Sequence, residues 1–391
     1  MGRAMQVMQG LGPQESNATY FYSYDHPYFG QIFLAAALSI VNYPNSVNPT
    51  VSPQSIEMLY FVPRVLMGIL AVLDTFLVYK IAETRYNRKV AFISATLFAV
   101  MPLSSLLRGI FLDSIALPFI LLSILFAIYY AKSSSRIDDE QHVNRNEKKL
   151  RYILLLSSGI FLGLAIFTKL PIFTLIPLLI FILLDKNIIN SISKKPGVVT
   201  KPSYIKNLGI WFIPVLLIPM IWPAYAITVG EFGNWVDGVI YQTERDSGGK
   251  DLRSSFVLVF GLDPVLLTLG AAATIWAVIK KDYLILLWTL PYLVFLYFIG
   301  WVVPIHWIIL VPVLCVSSAV LVDNLIQSVS SRKLTRYYPH AIISAVVIFG
   351  LVSTTILIES NLNTLYFQLY FFIAHELQQN QNTSSGSHSP N

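Results

Sequence analysis

The chain has 391 residues, of which 55% are hydrophobic and only 12% charged. A soluble globule carries about 25% charged residues, so a water-soluble enzyme is excluded, and so is a disordered chain, which would lack the 24 Phe and 21 Tyr. One cysteine, Cys315, inside an apolar block, excludes a disulfide framework and a thiol metal site.

Residues 1–20 offer no apolar core and no signal peptide. The block 28–43 (YFGQIFLAAALSIVNY), bounded by Pro27 and Pro44, is of marginal length for a crossing. Ten later segments are apolar enough to be read as spans: 57–82, 90–107, 114–131, 151–168, 171–184, 208–226, 257–279, 283–299, 304–326 and 340–358. Lys169 and Pro171 split the fourth from the fifth at a tight turn. The tail 377–391 is polar and low in complexity.

Orientation follows from the basic residues. Of 27 Lys and Arg, four lie at 80–89, six at 132–151, five at 186–206, two at 280–281 and three at 332–336, all in alternate loops. The positive-inside rule makes those loops cytoplasmic. Ten crossings then leave both termini outside, with 28–43 lying in the outer interface. The resulting domains are 1–56, an outer segment carrying the juxtamembrane helix 28–43; 57–358, a helical bundle with one long outer loop, 227–256; and 359–391, an outer polar tail. Two glycosylation sequons, Asn17-Ala18-Thr19 and Asn382-Thr383-Ser384, fall on that outer side.

Charged residues on the outer side run against the same rule and read as a site. They are Asp25, His26, Arg64, Arg108, Asp113, Lys169, Glu231, Arg245 and His306, with further charges in 227–256. Cations at headgroup depth suit a phosphate or pyrophosphate anion, Arg by bidentate contact and Lys as a point charge. A nearby carboxylate can take a proton from an acceptor. Bland readings stand beside these: Arg64 and Arg108 as snorkelling anchors, His26 and Asp113 as helix caps, and the charges of 227–256 as a solvated loop. Asp74, mid-membrane, is expected to pair with a neighbouring helix, and Trp211, Trp222, Trp235, Trp301 and Trp307 to form an interfacial belt.

The segment YDHPYFGQIFLAAAL resembles the "(D/E)-H/K-P-P-L-G" stretch of the GT-C membrane glycosyltransferases, with His-Pro-Tyr in place of His-Pro-Pro. That class includes protein O-mannosyltransferases and the aminoarabinose transferases of lipid A. PRVLMGILAVLDTFLVYKIAE and RGIFLDSIALPFILLSILF are similar to the next helix and second outer turn of that class, and GLAIFTKLPIFTLIPLLI to a later helix pair. The likeness covers about residues 20–185. It implies an all-α, GT-C-like bundle of about ten transmembrane helices plus an interfacial juxtamembrane helix, and the transfer of a sugar from a polyprenyl (dolichyl) phosphate to a protein, lipid or glycan acceptor on the extracytoplasmic face of the cell membrane.

Carried over residue by residue, the resemblance makes His26, Arg64, Arg108 and Lys169 contacts of the donor phosphate and places Asp113 beside the sugar. MGRAMQVMQGLGP resembles the segment that follows an Asp-Glu pair in that class, whose Asp is the base, so a first helix of about 20 residues and that pair are expected upstream of Met1. Within residues 1–391, Asp25 and Asp113 are the carboxylates placed to act as base. Glu231, Arg245 and His306 are secondary candidates. No metal-ligand spacing is recognisable, although a divalent ion is compatible with the chemistry, and the charge distribution points to membrane rather than nucleic acid. Two other readings remain: a lipid-linked sugar transporter, which predicts midplane polar residues and internal repeats, and a non-catalytic truncated homologue.

Overall fold

The structure is a computed structural model describing residues 1–14, 24–45, 53–138, 145–184, 201–244, 248, 251–329 and 338–359. Among these residues all regular structure is helical. In chain order the helices are α1 (Gly2–Met8), α2 (Phe29–Ile40), α3 (Pro53–Arg85), α4 (Arg88–Val100), α5 (Leu112–Asp138), α6 (Arg145–Thr168), α7 (Ile176–Leu184), α8 (Lys201–Leu217), α9 (Ile221–Thr228), α10 (Phe232–Glu244), α11 (Leu252–Leu262), α12 (Pro264–Lys280), α13 (Tyr283–Phe298), α14 (Val311–Val329) and α15 (Tyr338–Glu359). Three 3-10 turns, Pro102–Arg108, Leu170–Leu175 and Pro304–Leu310, join α4 to α5, α6 to α7 and α13 to α14.

Among the described residues four continuous helices are long and apolar enough to cross a membrane, and up to seven if each of three bent pairs counts as one span. The ten segments read from the sequence are all helical, but they are not ten straight crossings. Segment 90–107 bends by 66° after Val100, where Pro102 ends the helix and Met101 turns extended. Segment 257–279 is two helices meeting at 118°. Segments 171–184, 283–299 and 340–358 form shorter apolar helices. Helix α2 has 12 residues, about 18 Å at 1.5 Å per residue, too short for a core of about 30 Å. It packs instead against α1, α5 and α6.

Breaks in the bundle are fixed by local chemistry. Asn87 separates α3 from α4 by accepting from Val90 N at 2.9 Å, while its amide donates to Asp323 on α14 at 3.0 Å. Asp263, fully buried, makes the 118° elbow: one carboxylate oxygen caps α12 at Leu266 N (2.9 Å) and the other accepts from Leu103 N (3.1 Å) in the 3-10 turn before α5. On α6, Gly159 and Gly163 let α8 come close; a Cβ there would lie 2.5 Å from the Trp211 carbonyl oxygen and 2.6 Å from that of Pro214.

Several expectations need correction. Trp211, Trp222 and Trp307 are buried and do not form an interfacial belt. Each indole N–H has an internal acceptor: Ser158 Oγ (3.2 Å), Gln14 Oε1 (3.1 Å) and Ser255 Oγ (3.0 Å). Among the described residues Asp74 has no hydrogen-bonding partner on a neighbouring helix, although it is buried. The described part of segment 227–256 is largely helical, comprising α10 and the start of α11 rather than an irregular loop, while Asp237, Glu244, Asp251 and Arg253 are exposed, as the solvated reading of its charges expects.

Candidate active site

The site grows from the antiparallel pair α5 and α6. Its register is set inside the bundle, where Ser123 Oγ donates to Ser158 O at 2.8 Å. Ten residues back along α5 lies Asp113, and eleven forward past the end of α6 lies Lys169. The two therefore meet at the same end: Lys169 Nζ donates to Asp113 Oδ2 at 3.0 Å, with the side chains 7% and 1% exposed. Pro171 stops helix α6 just beyond Thr168 and leaves Lys169 extended, so its side chain turns inward rather than continuing around a helix. Asp113 is in the first turn of α5, where the helix dipole favours a carboxylate. Its other oxygen, Oδ1, is buried and has no hydrogen-bonding partner among the described residues.

Helix α2 delivers the second half of the site. Gly30, in its first turn, sits between the bases of α5 and α6; a Cβ would lie 2.7 Å from Leu112 Cδ2 and 2.8 Å from Thr168 Cγ2. That close approach carries the preceding residues, Asp25 and His26, to the Asp113–Lys169 pair. The backbone there is braced: Gln14 Nε2 donates to His26 O at 3.0 Å, and Trp222 donates to the same Gln14 side chain. Tyr28 and Phe29 pack edge-on and stacked, respectively, against Phe167. Arg3 Nη2 pairs with Asp25 Oδ1 at 2.7 Å.

Burial, and then the Lys169 ammonium, lower the His26 pKa to about 4, against the opposing pull of Asp25 and Asp113. At neutral pH His26 is thus an uncharged imidazole with one N–H to donate. Nearby, burial and the facing Glu231 carboxylate push the Tyr24 hydroxyl above the usual phenol range.

Two cavities share Asp25 and His26. One, of about 530 Å³, is walled largely by aromatic and aliphatic side chains, including Trp222, Phe173, Phe295 and Trp301, with Lys169 and His306 among its polar groups. His306 is buried, and its Nδ1 lies 3.4 Å from Val303 N. The other cavity, of about 370 Å³, is more polar, with Arg3, Gln6 and Gln31 beside Phe111.

The sequence-derived candidates divide on this geometry. Asp25, His26, Asp113 and Lys169 come together, and His306 joins them across the larger cavity. Glu231 stands behind, against Tyr24. Arg64 is exposed and lines neither cavity; Arg108 is exposed and lines a separate groove. Arg245 lies outside the described residues. The cap readings of His26 and Asp113 do not describe the structure: Tyr28 is the N-cap of α2, and Asp113 lies inside α5. Reading the sequence missed Gln14, whose bracing role has no local signature, and gave Arg3 no role at the site. Among the described residues no three His, Cys, Asp or Glu converge to hold a metal, and the Lys169 ammonium already occupies one oxygen of Asp113. Among the described residues, then, the site does not assemble a ligand set for a divalent ion.

The family model for dolichyl-phosphate-mannose-protein mannosyltransferases matches residues 16–231, more than half of the chain. The chain belongs to this family. Solved structures share its fold. The oligosaccharyltransferase of Archaeoglobus fulgidus, tethered with an acceptor peptide containing an NVT sequon, is 12% identical with a TM-score of 0.52, over 94% of this chain and 54% of that one. ArnT from Cupriavidus metallidurans bound to undecaprenyl phosphate is 14% identical with a TM-score of 0.53, over 95% and 62%. The Archaeoglobus fulgidus enzyme in complex with an inhibitory peptide and a dolichol-phosphate gives 12% and 0.51, over 90% and 50%. Both proteins are GT-C glycosyltransferases. No curated protein sequence matches the chain. The chain spans between half and about six-tenths of the length of these structures. It is a multi-pass membrane protein of the GT-C fold.

Proposed function

We propose that this chain carries the donor site of a glycosyltransferase that moves a sugar from a polyprenyl phosphate to an acceptor on the extracytoplasmic face of the membrane. The observation that carries the reading is the buried Asp113–Lys169 pair beside His26, where an aromatic cavity meets a polar one. The larger cavity suits an isoprenoid phosphate and its sugar. The smaller one, with Arg3 paired to Asp25, suits the acceptor. The outer placement rests on the basic residues, which gather at the opposite ends of the helices.

In the reaction the bond between the anomeric carbon and a phosphate oxygen breaks while the acceptor oxygen or nitrogen bonds to that carbon. The departing lipid phosphate takes both electrons. The Lys169 ammonium and the His26 N–H face the charge that grows on its oxygens, and they are held in place before the reaction begins. The acceptor's proton passes to a carboxylate; Asp113 Oδ1, buried and without a hydrogen-bonding partner among the described residues, and Asp25 are placed to take it. His306 borders the same cavity from the far side and orients the sugar or phosphate.

Membranes containing the full chain, supplied with a polyprenyl-phosphate-linked hexose, are expected to release the free polyprenyl phosphate. Asp113→Asn and Lys169→Met are each expected to lower turnover by about 10²-fold or more. Full turnover by either variant would overturn the assignment.

A further inference from the structure

Arg108 falls outside the reaction centre, and its surroundings are organised. It lines a groove of about 210 Å³ between α3, the 3-10 turn Pro102–Arg108 and α15, with Gly68, Thr75, Ser104 and Thr354 among the other walls. None of the groove's residues borders either cavity at His26. Among the described residues Arg108 makes no ion pair. Ser104 is 9% exposed, yet its Oγ has no hydrogen-bonding partner among the described residues. A buried hydroxyl in that state costs stability unless something else bonds it. Thr75 and Thr354 commit their protons to Ala71 O and Val100 O, at 2.8 and 2.6 Å, leaving hydroxyl oxygens in the wall. Arg64 stands four residues before Gly68 on α3, about one turn from it, and is a second exposed cation beside Arg108 of the 3-10 turn.

We propose that this groove holds the phosphate headgroup of an anionic glycerolipid from the surrounding bilayer, as a site separate from the reaction centre. Arg108 gives the bidentate contact suited to a phosphate, and Ser104 donates the hydroxyl that otherwise lacks an acceptor. The flanks identify the source of the phosphate. Ile69 and Val72 on α3 and Ile356 on α15 are each at least 60% exposed, so apolar helix surfaces flank the groove, along which the acyl chains of a bilayer lipid can lie. The volume fits a headgroup phosphate alone, whereas a sugar-phosphate with the start of its chain needs the larger cavity. The site itself exists because Pro102 bends the chain away from α4 while Gly350 lets α15 close on Met101.

Native mass spectrometry of the purified full chain, with phosphatidylglycerol or phosphatidylcholine added to detergent micelles, tests the proposal. Phosphatidylglycerol is expected to be retained in preference to phosphatidylcholine. Arg108→Gln and Ser104→Leu, the first removing the charge and the second filling the groove, are each expected to weaken retention by about tenfold. Lys169→Met is expected to leave it unchanged. Unfolding midpoints confirm that each variant is folded. Wild-type retention by both groove variants would overturn the proposal. Loss of retention in Lys169→Met, or complete displacement by equimolar polyprenyl phosphate, would also overturn it, by assigning the bound lipid to the reaction centre.

Discussion

Replacing Lys169 by Met removes the hydrogen-bonded cation from a carboxylate that is 1% exposed. At 3.0 Å and an effective dielectric of about 20, the gross attraction within this pair is on the order of 5 kcal/mol. Breaking a buried pair from one side costs about 3–5 kcal/mol, because the surviving charge has neither water nor partner. Asp113→Leu exposes the same problem from the other side by stranding the ammonium. The double variant Lys169→Met/Asp113→Leu strands nothing, so it is expected to recover most of the stability lost by either single change. Turnover should behave differently: both singles and the double remain inactive, since the double restores packing but supplies no charge to the donor phosphate. Denaturant unfolding in detergent followed by Trp fluorescence, run alongside donor consumption, reads both quantities. Wild-type stability in the two single variants, or losses that simply add in the double, would refute the pairing argument. A double variant regaining turnover would refute the catalytic one.

Three other changes probe the scaffold of the site. Gly30→Ala puts a methyl within 2.8 Å of Leu112 and Thr168, the neighbours of Asp113 and Lys169; it is expected to cost about 1–3 kcal/mol and to depress turnover. Gly209→Ala, where nothing lies within 4 Å, should leave thermal unfolding unchanged or raise it slightly. Asp263→Ala frees two buried N–H groups, at Leu103 and Leu266, for a loss of about 1–3 kcal/mol each, measured as a lower unfolding midpoint. The His26 pKa of about 4 lies below the ordinary value near 6.5. The unfolded chain therefore binds the extra proton first, and His26's contribution to stability is complete above about pH 6.5 and lost as pH falls through about 4. His26→Gln is expected to flatten the pH dependence of the unfolding midpoint in that window; an unchanged slope would locate the titration elsewhere. A bound phosphate reverses the pull on His26, so donor affinity should rise as pH falls, with proton uptake measurable by calorimetry in buffers of different ionisation enthalpy.

Four residues singled out in the sequence meet in the structure. Asp25, His26, Asp113 and Lys169 stood out because charge is expensive beside lipid, and each interrupts or borders an apolar run on the side opposite the basic loops. For Asp113 and Lys169, convergence requires only that α5 and α6 run antiparallel; Asp25 and His26 join them because α2 docks through Gly30 against Leu112 and Thr168. Arg64 and Arg108 stood out for the same reason, yet neither lines a cavity at His26. Spacing along a helix fixes how far a residue lies from the membrane surface; it does not fix which side of the bundle the residue faces. The tryptophans show the same ambiguity. Trp222 and Trp307 occur near the ends of apolar runs, as belt residues do, but their indoles are turned inward to Gln14 and Ser255.

Composition, the length of the apolar runs and the bias of Lys and Arg settle by themselves that the chain is a helical membrane protein, because lipid permits only backbones whose hydrogen bonds close internally. The order of the motifs carried the family. Tertiary structure alone decided that 257–279 folds as an elbow, since the Asp263 carboxylate is shared between an N-terminus next to it in sequence and a turn 160 residues away. It also decided that a polar brace from Gln14 to Trp222, 208 residues apart, holds His26 in place. Such contacts join residues remote in sequence and have no periodicity to reveal them; they exist only once the helices have packed.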